Sequence, residues 1–233
     1  MSTAPASIIP PGVTVFCDPA LAPVLRGFDS FSQAQAGAPL AVLSTTAAGM
    51  LGQIQRHTRN DVLFTLSTAM DQAVQAGLVV PTTRKNGFTN TLVLVSYAGR
   101  YKTPGSQAAL QALLAGAQIA VTDDTTASGL DGRAVLKANG LTPGRVQGVA
   151  STGDAAFLVT TYAADIALIY RTEAMADPRL AVLAELIADP ALTNYAVAVN
   201  AKAVSPNAQV LVALIGSKTG AAILRQSGLG VVA

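Results

Sequence analysis

The chain has 233 residues, 51% hydrophobic and 12% charged, with a formal net charge of +2 at neutral pH. That is too apolar for a disordered chain and long enough for one α/β domain or two lobes. Basic residues are scattered without aromatic interleaving, which argues against a nucleic-acid partner, and no apolar run approaches the roughly 18 residues of a membrane span.

Residues 1–11 are small, polar and proline-rich, without the basic start and apolar stretch of a secretion signal. Two expectations stay open here: a cytosolic protein, or an exported one whose signal has been removed. Short apolar strands then alternate with helical patterns, which argues an α/β fold with mostly parallel pairing. Val13–Phe16 reads as a strand. A helix from Pro19 follows, burying Leu21, Val24, Leu25 and Phe28 at a period of 3.6. Leu40–Leu43 is a strand before a helix near Gly49 that carries Leu51 and Ile54. Val62–Leu66 is a buried strand, and Ala69–Ala76 a helix ended by Gly77.

Thr91–Ser96 and Ile119–Val121 are strands, with a helix at Ser106–Leu114 between them. Leu130–Asn139 is helical and stopped by Gly140. Asp154–Tyr162 is helical, Ile166–Tyr170 a strand, Arg179–Ile187 a helix and Tyr195–Val199 a strand. Ser205-Pro206 has the form of a helix start, with Ser as cap and Pro in the first turn. That helix breaks near Gly216 and resumes to about Ser227, where Gly228 caps it. No linker separates two domains in series. Two lobes would require the chain to pass between them more than once, with Thr91–Ser96 and Tyr195–Val199 as the crossing strands.

Four strand ends run into turns of small residues that open helices: Cys17 to Ala20, Ser44 to Gly49, Thr122 to Gly129 and Ser151 to Asp154. Such turns aim backbone N–H groups and hydroxyls at one point and hold a small anion or polar solute without a charged side chain. Several residues there have two readings. Asp18 and Asp154 cap helices or contact a ligand. Thr45 and Thr46 satisfy a helix N-terminus or share it with a ligand. Tyr170 is a core tyrosine bonded to backbone or a ligand contact.

Chemistry of other kinds finds little support. Asp123-Asp124 lacks a second acidic cluster to complete a metal site. His57 is the only histidine and stands among Arg56 and Arg59, which speaks against a catalytic triad. The lone Cys17 excludes an internal disulfide and a cysteine zinc site, and reads as a buried small hydrophobe. Gly216-Ser217-Lys218-Thr219 lacks the preceding strand and leading glycine of a phosphate loop. No enzyme constellation and no cofactor are expected.

The order of these segments resembles the periplasmic molybdate-binding proteins that feed ABC importers. Val13–Phe16 and its helix match the family's opening strand, small turn and helix. Thr45 to Ile54 is similar to its Ser-Ser-Gly stretch ending in Gln-Ile, and Asn60–Phe64 to its Ala-Asp-Val-Phe strand. Ala127-Ser128-Gly129 resembles its Pro-Ala-Gly turn, Ile166–Tyr170 its Gly-Ile-Val-Tyr strand, and Gly220–Leu229 its closing helix.

The resemblance implies a two-lobed α/β fold of the type II periplasmic-binding-protein kind, with two crossover strands. Lobe I would hold 12–91 and 198–233, and lobe II 92–197. It implies a periplasmic monomer that binds molybdate or tungstate between the lobes and docks on an ABC importer permease. Asp18, Ala20, Thr45, Thr46, Ser128, Thr152, Gly153 and Tyr170 would line the site, Tyr170 at the family's ligand-contacting tyrosine. Ala20 stands where the family has a serine that donates its hydroxyl and N–H. Asp18 and Pro19 beside it add a carboxylate that repels a dianion and remove one donor. A different small polar or organic ligand, held by a transport receptor or a cytosolic sensor, is therefore the alternative.

Overall fold

The structure is a computed structural model that describes residues 12–56, 58–123, 132–186 and 192–232. Strand β1 (Thr14–Cys17) buries Val15, Phe16 and Cys17 completely. Asp18 then caps a 3-10 turn at Pro19–Leu21 that runs into α1 (Ala22–Leu25), a second 3-10 turn at Arg26–Phe28 and α2 (Asp29–Ala36). Leu21, Val24, Leu25 and Phe28 are all buried, as their spacing predicts. Next come β2 (Ala41–Ser44), α3 (Ala47–Gln55), β3 (Val62–Leu66) and α4 (Ser67–Gln75). The long strand β4 covers Lys85–Tyr97.

The middle of the chain repeats the βα pattern: α5 (Gln107–Gly116), β5 (Gln118–Thr122), α6 (Gly132–Ala138), β6 (Arg145–Val149), α7 (Thr152–Thr160) and β7 (Ile166–Tyr170). The short α8 (Arg171–Ala176), β8 (Leu180–Glu185) and β9 (Leu192–Val199) follow. The chain closes with α9 (Ala208–Ile215), α10 (Lys218–Gln226) and β10 (Gly230–Val231). Gly77, Gly140 and Gly228 all take positive φ at helix ends, a conformation that costs glycine nothing.

The strand order is β2-β1-β3-β9-β4-β7-β5-β6. β1 pairs in parallel with β2 and β3, and β5 in parallel with β6 and β7. β4 joins the two parallel groups. Its first half pairs antiparallel with β9 and β10, its second half with β7 and β8. Each group is covered by helices on both faces, giving two α/β lobes. In the first lobe, Leu25, Phe28, Leu211 and Leu224 pack on one face and Met50, Ile54 and Met70 on the other. In the second, Leu110, Leu114 and Leu136 oppose Ala155, Val159 and Ala174. No single helix among the described residues is long and apolar enough to cross a membrane.

Two expectations need correction. Arg179–Ile187 is not helical: Leu180–Glu185 is a strand on β4. Its buried Leu180 and Leu183 lie three apart because the register shifts opposite Leu94/Val95, leaving Leu183 as an extra residue. A bulged strand thus imitates a helical spacing. Ser205-Pro206 does not start α9, whose cap position is Asn207. The Ser205 N–H is instead bound by the Asp61 carboxylate. Tyr195–Val199 lies within β9, which pairs with β3 and the first half of β4.

Asp61 fastens this lobe. It is fully buried, with Oδ2 accepting from Thr14 N at 2.9 Å and Oδ1 from Val204 N and Ser205 N, both at 2.9 Å. Removing the carboxylate strands these donors, at about 1–3 kcal/mol for a buried unsatisfied group and more for a charged partner. Asp61→Ala is expected to lose about 3–5 kcal/mol in urea unfolding, whereas substitution of the exposed Asp71 should change stability by less than about 1 kcal/mol.

Candidate ligand-binding site

The carboxyl ends of β1, β2 and β3 lie side by side. Asp18 N donates to Phe64 O and Thr45 N to Cys17 O, each at 3.1 Å. The first and second small-residue turns are thereby neighbours. Asp18 is buried, and its Oδ1 accepts from Ala20 N at 3.1 Å, so it does cap the turn. Thr46 caps α3 by accepting from Gly49 N at 3.2 Å, while Thr45 is half-buried beside it. In open α/β sheets, ligands sit outside the carboxyl ends of strands.

The second lobe meets this end of the first directly. Thr172 Oγ1, in α8, donates to Ala20 O at 2.6 Å and accepts from Asn90 Nδ2 at 2.8 Å. Ala20 is buried and packs with Leu92 and Tyr170. Tyr170, at the end of β7, shares a hydrogen bond of 3.3 Å with Thr193 Oγ1. Tyr195 is fully buried, and its hydroxyl meets that of Tyr170 without a well-formed hydrogen bond to any described residue. Asn90 Oδ1 is likewise buried and unpartnered.

Glu173 completes the cluster. Its Oε2 accepts from Tyr170 N at 3.0 Å and its Oε1 from Thr152 Oγ1 at 2.9 Å, tying α8 to the first turn of α7. Ser151 caps α7 by accepting from Asp154 N at 3.0 Å. Asp154 points outward into that cap, since its Oδ2 accepts from Ser151 Oγ at 2.7 Å. Gly153 is exposed in the same turn. Ser128 and the rest of 124–129 in the third turn lie outside the described residues, as does His57.

Asp18, Ala20, Thr152 and Tyr170 are therefore joined in one hydrogen-bonded neighbourhood, with Thr45 and Thr46 at its edge. Glu173, Tyr195, Thr172, Thr193 and Asn90 belong to it and were not singled out from the sequence. Glu173 had a local signal, because a Glu three residues after a strand end is the far half of a capping box. Tyr195 had none.

The electrostatics are unusual for so apolar a chain. Burial pushes the Asp18 carboxyl up to about 6, against the downward pull of the Ala20 N–H. Burial pushes Glu173 up to about 7, partly offset by its bonds from Thr152 and Tyr170 N. The Tyr170 phenol rises to about 12, again chiefly by burial. Cys17 is raised to about 12 by burial and by Asp18, so it is an inert thiol at neutral pH. A separate surface cavity of about 250 Å³, lined by Ile54, Thr58, Asn60, Asn200 and Lys202, lies beyond the opposite ends of these strands.

The model of the bacterial extracellular solute-binding proteins matches residues 13–230. The chain belongs to that family. No curated protein matches it in sequence. Solved structures share the fold of this solute-binding protein over nearly its whole length. A periplasmic molybdate-binding protein from Azotobacter vinelandii is 18% identical with a TM-score of 0.72, over 95% of this chain and 100% of that one. PEB3 from Campylobacter jejuni, bound to L-phospholactate, is 16% identical with a TM-score of 0.66, over 94% and 99%. The tungstate ABC transporter structure from Geobacter sulfurreducens is 16% identical with a TM-score of 0.64, over 91% and 97%. The two-lobed fold implied by the sequence resemblance is thus the observed one.

The raised carboxyls make the stability of this solute-binding protein depend on pH. The folded chain keeps protons on Asp18 and Glu173 that the unfolded chain sheds above its lower carboxyl range. Stability from these groups therefore falls as pH rises from about 4 to about 7. Asn caps as well as Asp. Asp18→Asn should exceed the parent by about 1–3 kcal/mol in urea unfolding at pH about 8, with the gain fading toward pH about 4.

Proposed function

We propose that this solute-binding protein captures a small oxyanion, molybdate or tungstate before others, between its two lobes and hands it to the permease of an ABC importer. The reading rests on one observation: the family match runs from the first strand to the last, over a fold whose first, second and fourth helix-opening turns are linked at the lobe junction. Helix N-termini at α3 and α7 supply donors where no Lys or Arg is needed. The family's extracellular character supports a periplasmic location, with export completed before function. The protein acts as a monomeric receptor and performs no chemistry on its ligand. Capture is a closure of the lobes about their crossing strands, and the permease reads the closed form.

A second reading has its own support. Asp18 and Glu173 at the junction favour a ligand that offers hydrogen-bond donors, such as a small hydroxylated organic acid. Both readings place Ala20, Thr45, Thr46, Thr152, Gly153 and Tyr170 at the ligand, with Ser128 from the third turn.

A thermal-unfolding screen of molybdate, tungstate, sulfate, phosphate and small organic acids decides between them. A ligand at 100 times its Kd adds about 2.7 kcal/mol, a rise of roughly 5–10 °C for a chain of this size. A rise with molybdate and tungstate alone supports the first reading, and one confined to an organic acid supports the second. Tyr170→Phe keeps the buried ring and loses the hydroxyl. It should weaken the active ligand roughly tenfold while stability moves by about 1 kcal/mol or less. Unchanged affinity in calorimetry would remove Tyr170 from the site.

A further inference from the structure

Two carboxyl groups, one poorly satisfied phenol and one unpartnered amide oxygen share the lobe junction. Asp18 uses Oδ1 for Ala20 N, and Glu173 uses one oxygen for Thr152 and the other for Tyr170 N. Tyr195 OH is buried among Asp18, Tyr170 and Glu173, and among the described residues it makes only a poorly formed contact with the Tyr170 hydroxyl. A buried phenol with so poor an acceptor can turn to a better one that arrives from outside. Among the described residues, neither carboxyl has a cation at ion-pair distance. Cys17 lies on β1 beside Asp18, Tyr170 at the end of β7, Tyr195 on β9 and Thr152 on α7. Helix α3 carries no ionisable residue among those described, and Arg171 is turned to Glu185 at 2.9 Å. An anion entering this cluster meets two carboxyls and, among the described residues, no positive side chain.

We propose that the cleft takes up protons together with its anion: Asp18 and Glu173 hold the ligand as neutral carboxylic acids, and Tyr195 donates its phenol hydrogen to a ligand oxygen. The proposal rests on the oxyanion reading above and deepens it. A protonated carboxyl gains a donor while keeping acceptor capacity. On Glu173 the proton reverses the bond to Thr152, so that Glu173 donates to Thr152 Oγ1. The Thr152 hydroxyl hydrogen is then released toward the ligand. On Asp18 the proton sits on Oδ2, the oxygen not engaged by Ala20 N. Burial already raises both groups toward neutral pH, so the anion need supply only the remaining upward shift on binding.

Calorimetric titration of sodium molybdate into the intact chain tests this, between pH about 6 and about 8, in pairs of buffers with unequal ionisation enthalpy. Affinity should tighten at least about tenfold from the higher to the lower pH, with net proton uptake on binding. Asp18→Asn keeps the cap and Glu173→Gln keeps the reciprocal bond of the capping box. Each should bind molybdate more tightly than the parent at pH about 8 and take up fewer protons. Thermal unfolding at each pH confirms that the variants are folded. Molybdate binding that is flat with pH and free of proton uptake overturns the inference and leaves the oxyanion reading standing. No molybdate binding at any pH overturns both, and an organic ligand whose affinity rises with pH would assign the carboxylates to its donors instead.

Discussion

Strand β4 pairs with β9 and β10 along its first half and with β7 and β8 along its second, so both lobes are built on thirteen residues of continuous backbone. The candidate site follows from that sharing. Leu92 is opposite Tyr170, Asn90 opposite Thr193 and Phe88 opposite Tyr195. Partners on two separate strands are thereby brought to one stretch of β4, where the sheet passes from one lobe to the other. The Tyr170–Thr193 bond spans those two strands, and the Asn90–Thr172–Ala20 chain ties the crossing strand to the first turn. Any rotation of one lobe on the other must rearrange these bonds first.

That location also explains the charges. A carboxylate at a strand end is ordinarily a solvated cap. Asp18 loses its water because α8 closes over Ala20 and the Thr172 hydroxyl occupies the Ala20 carbonyl. Glu173 satisfies the start of its own short helix, and in doing so brings a second carboxyl to the same junction. Each residue does an ordinary local job. Burial raises both pKa values, the Asp18 charge adding to that of Glu173, and among the described residues the junction is short of positive charge.

Much of the architecture is legible because apolar strands and terminal glycines report local physics. Val62–Leu66 and Ile166–Tyr170 are nearly continuous apolar runs, and they form strands with the bounds they suggest. Gly77, Gly140 and Gly228 mark helix ends through a backbone conformation that side chains resist. The misreadings have physical causes too. β8 hides its period of two behind a bulge, and the polar first half of β4, Lys85–Asn90, offers no apolar alternation although β9 and β10 pair with it. Of the site, Asp18, Ala20, Thr152 and Tyr170 stood at strand ends and could be found. Tyr195 sits inside a strand, and only the fold turns its hydroxyl toward Asp18.

The division between what strands and turns supply bears on how such a fold acquires a ligand. The strands, their register and the four apolar clusters fix where the lobes meet, and none of that depends on what lies between them. The polar cluster is carried by a handful of positions on turns and helix starts, where a change of side chain leaves the core untouched. Ala20 and Asp18 illustrate the point: replacing either alters the donors and charge at the junction while Val15, Phe16 and the stripe from Leu21 to Phe28 keep the lobe packed. Ligand choice in this chain is thus a matter of protonation and hydroxyl placement at few residues, laid over a scaffold that would tolerate others.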